Sequence, residues 1–252
     1  MSRTYTDRAI VLRTWSIGET DRFCVVLTRE HGRIPLRVAG ARRLLSRRGR
    51  GLLPLHIVDV TWTERDSMCA VDAASCAEPN HTAWQNIESL AAAEKGIELL
   101  MNLTEDRAPV PEIFDLTADF LGRSVPGPEA TLILYALKVL DALGHFPSIT
   151  HAMSTGHRFS ADQDVVWSRT QGGFVPGSED PYGLTLTPTL RSLLSEIETL
   201  SFVQPLPLTA SEYGILRRML DHYSPIQLGT SFASTGTPSP RILASSSKVT
   251  PT

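Results

Sequence analysis

The stretch AIVLRTWSIGETDRFCVVLTREHGRIPLRVAG, residues 9–40, decides the fold because apolar and polar residues alternate along three short runs. The runs lie at residues 9–15, 22–30 and 33–40, and turn-like segments separate them. Side chains that alternate with a period of two point to opposite faces of a β-strand. The stretch therefore predicts three consecutive strands joined by tight turns.

The third run shows the alternation most clearly. Ile34, Leu36 and Val38 fall on one face, whereas Arg33 and Arg37 fall on the other. An apolar face of this kind packs into a core, and the opposite face meets solvent or a ligand. We therefore expect two arginines on the outer surface of this strand.

Two more strand-like runs follow, at residues 52–63 and 68–76, with the polar turn ERDS between them. Five short strands without a helix-length pattern between them indicate a small closed or partly closed antiparallel barrel. An oligonucleotide-binding (OB) barrel over residues 1–79 is the natural candidate, because it presents a sheet face and loops to single strands.

From Asn80 onward the apolar residues recur every three or four positions, which is typical of helices. Five helices are expected. The first covers 83–103 with Asn80 or Thr82 as its cap, the second starts at Pro111, and the third covers 129–144. The fourth starts at Thr187 and the fifth at Thr209, where Glu212 completes a capping box. We predict an α+β protein: an OB-fold-like barrel, a helical domain over 80–229 with an aperiodic insertion at about 146–184, and a disordered tail at 230–252.

The loop GARRLLSRRGRG, residues 40–51, carries five arginines, three glycines and no acidic residue. Residues 1–50 hold twelve arginines, four acidic residues and no lysine, a net charge of +8, and the rest of the chain carries −11. Guanidinium groups bind phosphate oxygens in pairs and stack on bases, so an all-arginine surface favours polyphosphate or nucleic acid as the ligand.

Seven arginines on the third strand and the loop are the predicted DNA-binding residues. They are Arg33, Arg37, Arg42, Arg43, Arg47, Arg48 and Arg50. They would neutralise phosphates and release counterions, with weak sequence preference. Trp15 could stack on a base, although an aromatic residue in a small barrel is more often part of the core. Glu19 and Asp21 are expected to hold their turn by side-chain hydrogen bonds.

Several function classes find little support in the sequence. The chain has no phosphate-binding G-x-x-x-x-G-K-[ST] loop and no G-x-S-x-G serine, and Glu19 and Asp21 are the one acidic pair near the basic surface, so we expect no enzyme. An RNA-binding barrel and a protein-interaction scaffold remain open alternatives.

The cellular location follows from three further features. Every apolar run is too short to span a membrane, and the N-terminus lacks a secretory signal pattern. The three cysteines, Cys24, Cys69 and Cys76, lack C-x-x-C spacing, which suits a reducing compartment. We therefore expect a cytoplasmic protein without a membrane partner or a small-molecule substrate.

These residues resemble a known family. AIVLRTWSIGETDRFCVVLTREHGRIPLRVAGARR (9–43), the following LLPLHIVDV (52–60), YALKVLDALGHFPSI (135–149) and LRRMLDHYSPIQLG (216–229) are similar to the bacterial recombination mediator RecO family. The resemblance implies binding of single- and double-stranded DNA and annealing of complementary strands. It also implies work with RecR and single-stranded-DNA-binding protein to load RecA in gap and double-strand break repair, the RecFOR pathway, at the nucleoid.

The sequence departs from that family in two respects, the zinc module and the C-terminal segment. Many members carry a four-cysteine zinc module after the central helix. The corresponding positions here carry Ala152, Thr155, Val175 and Ser178. Tetrahedral zinc requires thiolate or imidazole ligands, and His151 and His157 could supply half a site at most. We therefore expect a metal-free, zinc-ribbon-like insertion and no cofactor. The family's basic C-terminal segment is reduced here to Arg241 and Lys248.

Overall fold

The computed structural model describes residues 2–42, 51–122, 127–160, 163–202 and 206–223. Five strands form the N-terminal part: β1 Arg3–Ile17, β2 Asp21–Thr28, β3 Gly32–Val38, β4 Ile57–Arg65 and β5 Met68–Glu78. They close into a barrel in the order β1-β2-β3-β5-β4, with β3 and β5 parallel and the other pairs antiparallel. This is the OB-like barrel that the sequence predicts.

The barrel core follows from the strand alternation. Ile34, Leu36 and Val38 of β3 are buried, whereas Pro35 and Arg37 between them are exposed, which confirms the predicted faces. The remaining core residues come from the other four strands and the segment before β4: Ala9, Val11, Cys24, Val26, Leu52, Val58, Val60, Trp62, Cys69 and Val71. Trp62 is the largest of these side chains and is almost completely buried.

The predicted fourth strand is wrong at its start. It was expected from residue 52, but β4 begins at Ile57. Leu52 and Leu55 are buried, and Leu55 has a φ of +68°, which no regular strand allows. The Leu55 N–H donates to the Val11 carbonyl oxygen at 2.7 Å. The apolar residues before β4 therefore pack as a compact turn against β1, a role that periodicity alone does not distinguish from a strand.

Five helices form the second part: α1 Ile87–Leu103, α2 Pro111–Gly122, α3 Pro128–Ala142, α4 Pro188–Ser195 and α5 Ala210–Tyr223. The central helix α3 packs against α1, α2 and α5. Residues 131–137 of this helix are buried around its whole circumference, as expected for a helix surrounded by others. Among the described residues, no helix is long and apolar enough to cross a membrane.

The predicted helix starts are confirmed at α4 and α5 and wrong at α1. Thr187 caps α4 by accepting from the Leu190 N–H at 3.1 Å, and Thr209 and Glu212 form the expected capping box on α5. Helix α1 instead begins at Ile87, four residues later than expected, and its cap is Asn86 rather than Asn80 or Thr82. Asn80 caps the short turn before it, through the Ala83 N–H. Helix α4 ends at Ser195, and a 3₁₀ turn, Ile197–Thr199, follows it.

The insertion contains a small sheet of three strands, β6 Val165–Ser168, β7 Gly173–Pro176 and β8 Leu184–Thr185, in the order β7-β6-β8. At the positions where the zinc module would have ligands, Ala152 and Val175 are buried apolar residues. The described residues contain no group of three or more histidine, cysteine or acidic side chains that could hold a metal. The residues of this insertion do not fit a zinc ion.

The helical domain covers part of the outer face of the barrel. Ile10, Leu12, Val25 and Leu27 point away from the barrel interior and belong to the same buried cluster as the core of the helices. Strand β2 is therefore buried on both faces along residues 24–28. The outer sheet face remains accessible at its opposite end, where β2 begins and β3 ends.

Candidate nucleic-acid interface

Arg33 lies at the contact between the barrel and the helical domain. Its Nε donates to Asp106 Oδ1 at 2.5 Å, and its terminal nitrogen donates to the Met101 carbonyl oxygen. The side chain is only 16% exposed. Little of the Arg33 guanidinium is therefore accessible to a phosphate. Its ion pair with Asp106 gives Arg33 a role in joining the domains.

Arg37 and Arg42 lie together at the accessible end of the barrel. The Arg37 side chain is 45% exposed and donates from Nε and a terminal nitrogen to Asp21 Oδ2, at 3.0 and 2.6 Å. Arg42 donates from its backbone N–H to the Thr20 carbonyl oxygen at 3.0 Å and from its side chain to the Gly18 carbonyl oxygen at 3.2 Å. Both arginines are therefore held beside the β1–β2 turn. We call these residues, 18–21, 37 and 40–42, the arginine rim.

Four predicted contacts lie outside the described residues. They are Arg43, Arg47, Arg48 and Arg50, and they stay predictions from the sequence. They follow Arg42 in the sequence, and Arg42 is the last described residue before them. Gly40, the first residue of the loop, has a φ of +65°, a left-handed conformation that favours glycine.

Asp21 organises the rim. Its Oδ1 accepts from the Gly40 N–H and from the Thr20 hydroxyl, each at 2.9 Å, while Oδ2 binds Arg37. One carboxylate thus joins the β1–β2 turn, strand β3 and the first residue of the basic loop. The predicted turn-holding role of Asp21 is confirmed, and the link to Gly40 extends it.

The rim carboxylate is expected to stay ionised in acid. The Gly40 N–H, followed by the Arg37 and Thr20 donors, lowers the pKa of Asp21 to about 2. The Asp21 carboxylate binds a proton more readily in the unfolded chain than in the folded one. The stabilisation from its hydrogen bonds is therefore complete above the ordinary pKa near 4 and is lost as pH falls towards 2. Carbon-13 NMR titration of the Asp21 carboxyl carbon measures this value directly.

A matched variant checks the cause. Arg37→Gln should raise the pKa of Asp21 but leave it below the usual range, because the Gly40 N–H, the largest contribution, remains. A pKa near 4 for Asp21 in the wild-type protein would show that these hydrogen bonds do not stabilise the carboxylate.

Two aromatic rings lie next to the rim on the outer face of the sheet. Trp15 of β1 is directly opposite Phe23 of β2, which in turn is opposite Arg37 of β3. Trp15 is therefore not part of the barrel interior. Phe23 received no role from the sequence, because the pattern within one strand does not reveal which residue of the next strand lies beside it.

The fold and this surface define a class: an α+β protein with an OB-like barrel, a helical domain packed on one part of its outer face, and an arginine-rich rim left open. Comparison with known families agrees with this architecture. The family model "Recombination protein O N terminal" matches residues 1–80, and "Recombination protein O C terminal" matches residues 85–235.

Individual relatives give the same result. The chain is 32% identical to the DNA repair protein RecO of Cutibacterium acnes over 206 residues, which is 76% of this chain and 82% of the relative. It is 29% identical to the DNA repair protein RecO of Bacillus pumilus over 224 residues, 85% of each chain. The chain belongs to the recombination protein O family, and its function lies in DNA repair and recombination.

Proposed function

We propose that this chain is a DNA-binding recombination mediator that acts without a catalytic group. It binds single- and double-stranded DNA through the arginine rim and the loop that follows, and it anneals complementary strands. With RecR it helps to load RecA onto single strands covered by single-stranded-DNA-binding protein. The observation that carries the proposal is the arginine rim. It contains the first residues of a segment whose charged residues are all arginine, and it lies beside an accessible sheet face.

The mechanism is electrostatic. Each guanidinium that pairs with a phosphate displaces condensed counterions, and the release of these ions favours binding without regard to sequence. When two complementary strands occupy neighbouring arginines, the repulsion between their phosphates falls, so the strands approach and pair more readily. Arg42 and the four arginines that follow it in the sequence suit this task because guanidinium groups bind phosphate oxygens in pairs.

The domain organisation suggests a division of work. We propose residues 1–79 as the DNA-binding domain and residues 80–229 as the helical domain that meets RecR and other repair proteins. Residues 1–79 carry 13 basic and 9 acidic residues, a net charge of +4, and the rest of the chain carries −7, so DNA is attracted to the barrel domain more than to the helical domain. Such a molecule would act in the cytoplasm, at the nucleoid.

The proposal is tested by changing Arg42, Arg43, Arg47 and Arg48 together to alanine. Binding of a mixed-sequence single-stranded oligonucleotide is measured by fluorescence anisotropy over a salt series. We expect the affinity at low salt to fall by a factor on the order of 100. The slope of log K against log salt should shrink by roughly three units, because each lost phosphate contact removes ~0.7.

A second variant with the same loss of charge is the control. Arg3, Arg158, Arg169 and Arg218 are exposed and do not belong to the rim, and all four are changed to alanine. This variant should keep most of the affinity and of the salt slope. Equal losses in the two variants would mean that only net charge matters, and an unaffected loop variant would remove the loop from the DNA-binding surface.

A further inference from the structure

The aromatic pair beside the arginine rim is unusual for the surface of a barrel. The rings of Trp15 and Phe23 are stacked, with their centroids 5.8 Å apart and their planes 20° from parallel. Both side chains are partly exposed, and Ile17, two residues after Trp15 on the same strand, is 38% exposed. Three neighbouring apolar side chains thus remain in contact with solvent.

The position of the pair separates it from the apolar contact between the domains. Along the outer face, Ile10 and Leu27 are opposite each other and buried under the helical domain. Trp15 and Phe23 form the corresponding pair towards the opposite end of the same two strands, where only Trp15 reaches the edge of the buried cluster. Strand β1 pairs with β4 from Arg3 to Ile10, so the part of β1 that carries Trp15 extends beyond that pairing.

The charges around the pair indicate its ligand. Phe23 is directly opposite Arg37, whose guanidinium is held by Asp21, and Arg42 lies at the adjoining turn. A stacked aromatic surface bordered by arginines is complementary to a nucleotide, which combines a flat base with a negative phosphate. The Arg42 guanidinium donates to the neutral Gly18 carbonyl oxygen, so an apolar peptide would supply no anion for it, and the surface matches a nucleotide better.

We propose that Trp15 and Phe23 form a stacking site for the unpaired bases of a single DNA strand whose phosphates meet the arginine rim. This inference rests on the proposed DNA binding and adds to it a site that contacts bases rather than phosphates. Bases within a duplex are stacked on each other and leave no face for the rings, so the site favours single strands. Base–aromatic stacking is tolerant of sequence because every base has a flat face.

The experiment compares two oligonucleotides of equal length: one with normal bases, and one in which a central run carries tetrahydrofuran abasic sites and therefore keeps only the phosphates. Wild-type protein should bind the normal strand about tenfold more tightly, within the range measured for base stacking on aromatic residues. Trp15→Leu/Phe23→Leu, which keeps apolar volume but removes the rings, should lose this preference. Its salt slope should equal that of the wild type, because no phosphate contact is removed.

Two further variants define the interpretation. Trp15→Phe keeps an aromatic ring and should retain most of the preference. Trp84→Leu removes a tryptophan that is 51% exposed in the segment before α1, and it should bind like the wild type. Thermal unfolding of each variant shows whether it is folded, and the comparison of the two strands on wild-type protein does not depend on any variant.

The outcomes distinguish this inference from the proposed function. Equal binding of the normal and abasic strands by wild-type protein, with a steep salt dependence, would overturn the stacking site and leave the arginine rim as the DNA surface. A folded leucine double variant that keeps the full preference for bases would also overturn it. Failure of the wild type to bind either strand at low salt would instead remove the proposed DNA binding.

Discussion

Replacing Gly32 with alanine is expected to lower the free energy of unfolding by about 2–5 kcal/mol. Gly32 begins β3 with a φ of +71°, and a left-handed conformation costs a residue with a Cβ about 1–2 kcal/mol. A Cβ at this position would also lie 2.6 Å from both the carbonyl carbon and the oxygen of Ala108. These are backbone atoms of the helical domain, and such overpacking costs about 1–3 kcal/mol more.

The expected damage is centred on the contact between the domains. The segment that meets Gly32 also places Asp106 against Arg33, and the Arg107 N–H donates to the Arg33 carbonyl oxygen at 3.0 Å. The Arg107 side chain pairs with Glu64 of β4 at 2.9 Å. A shift of this segment would therefore disturb several contacts that join the barrel to the helices.

Urea unfolding followed by circular dichroism measures the effect, and Gly144→Ala is the matched control. Gly144 has a φ of +70°, but a Cβ there would meet no atom within 4 Å. The control should therefore show only the conformational cost, about 1–2 kcal/mol. Equal losses at the two glycines would mean that the contact with Ala108 relaxes freely and does not hold the domains together.

Replacing Tyr135 with alanine should destabilise the protein by roughly 3–5 kcal/mol, the cost of truncating a buried aromatic residue. Tyr135 lies in the middle of α3 and is fully buried. Its ring stacks on Phe120 of α2 with a centroid distance of 4.1 Å, and its hydroxyl is 2.9 Å from the Thr117 hydroxyl. Gly96 of α1 lets these two rings approach, because a Cβ there would lie 2.6 Å from the Phe120 ring.

Two other tyrosine variants separate the parts of this effect. Tyr135→Phe keeps the ring and loses only the hydroxyl contact, so it should cost about 1 kcal/mol. Tyr182→Ala removes a side chain that is 96% exposed and should leave stability unchanged. The three variants are compared by urea unfolding. A small loss of unfolding free energy in Tyr135→Ala would show that the helices close around the missing ring, and that the packing around α3 is not rigid.

The features that the sequence predicted correctly are local ones. The alternation in β3 placed Ile34, Leu36 and Val38 inside the barrel because each choice depends only on neighbours two positions away. The caps at Thr187 and Thr209 were predicted for a similar reason, since a cap bonds to backbone groups within three residues. The segment 52–56 was misread because a short apolar run packs equally well as a strand or as a turn.

Residue patterns along the chain are sufficient to predict a barrel followed by a helical domain, and they show that positive charge is concentrated in the first fifty residues. How the arginines are used depends on the tertiary fold, because their partners lie far away in the chain. Arg33 meets Asp106, 73 residues later, and leaves the open surface, whereas Arg37 meets Asp21 and remains on it. Strand register, which no single strand encodes, brought Trp15, Phe23 and Arg37 into one row.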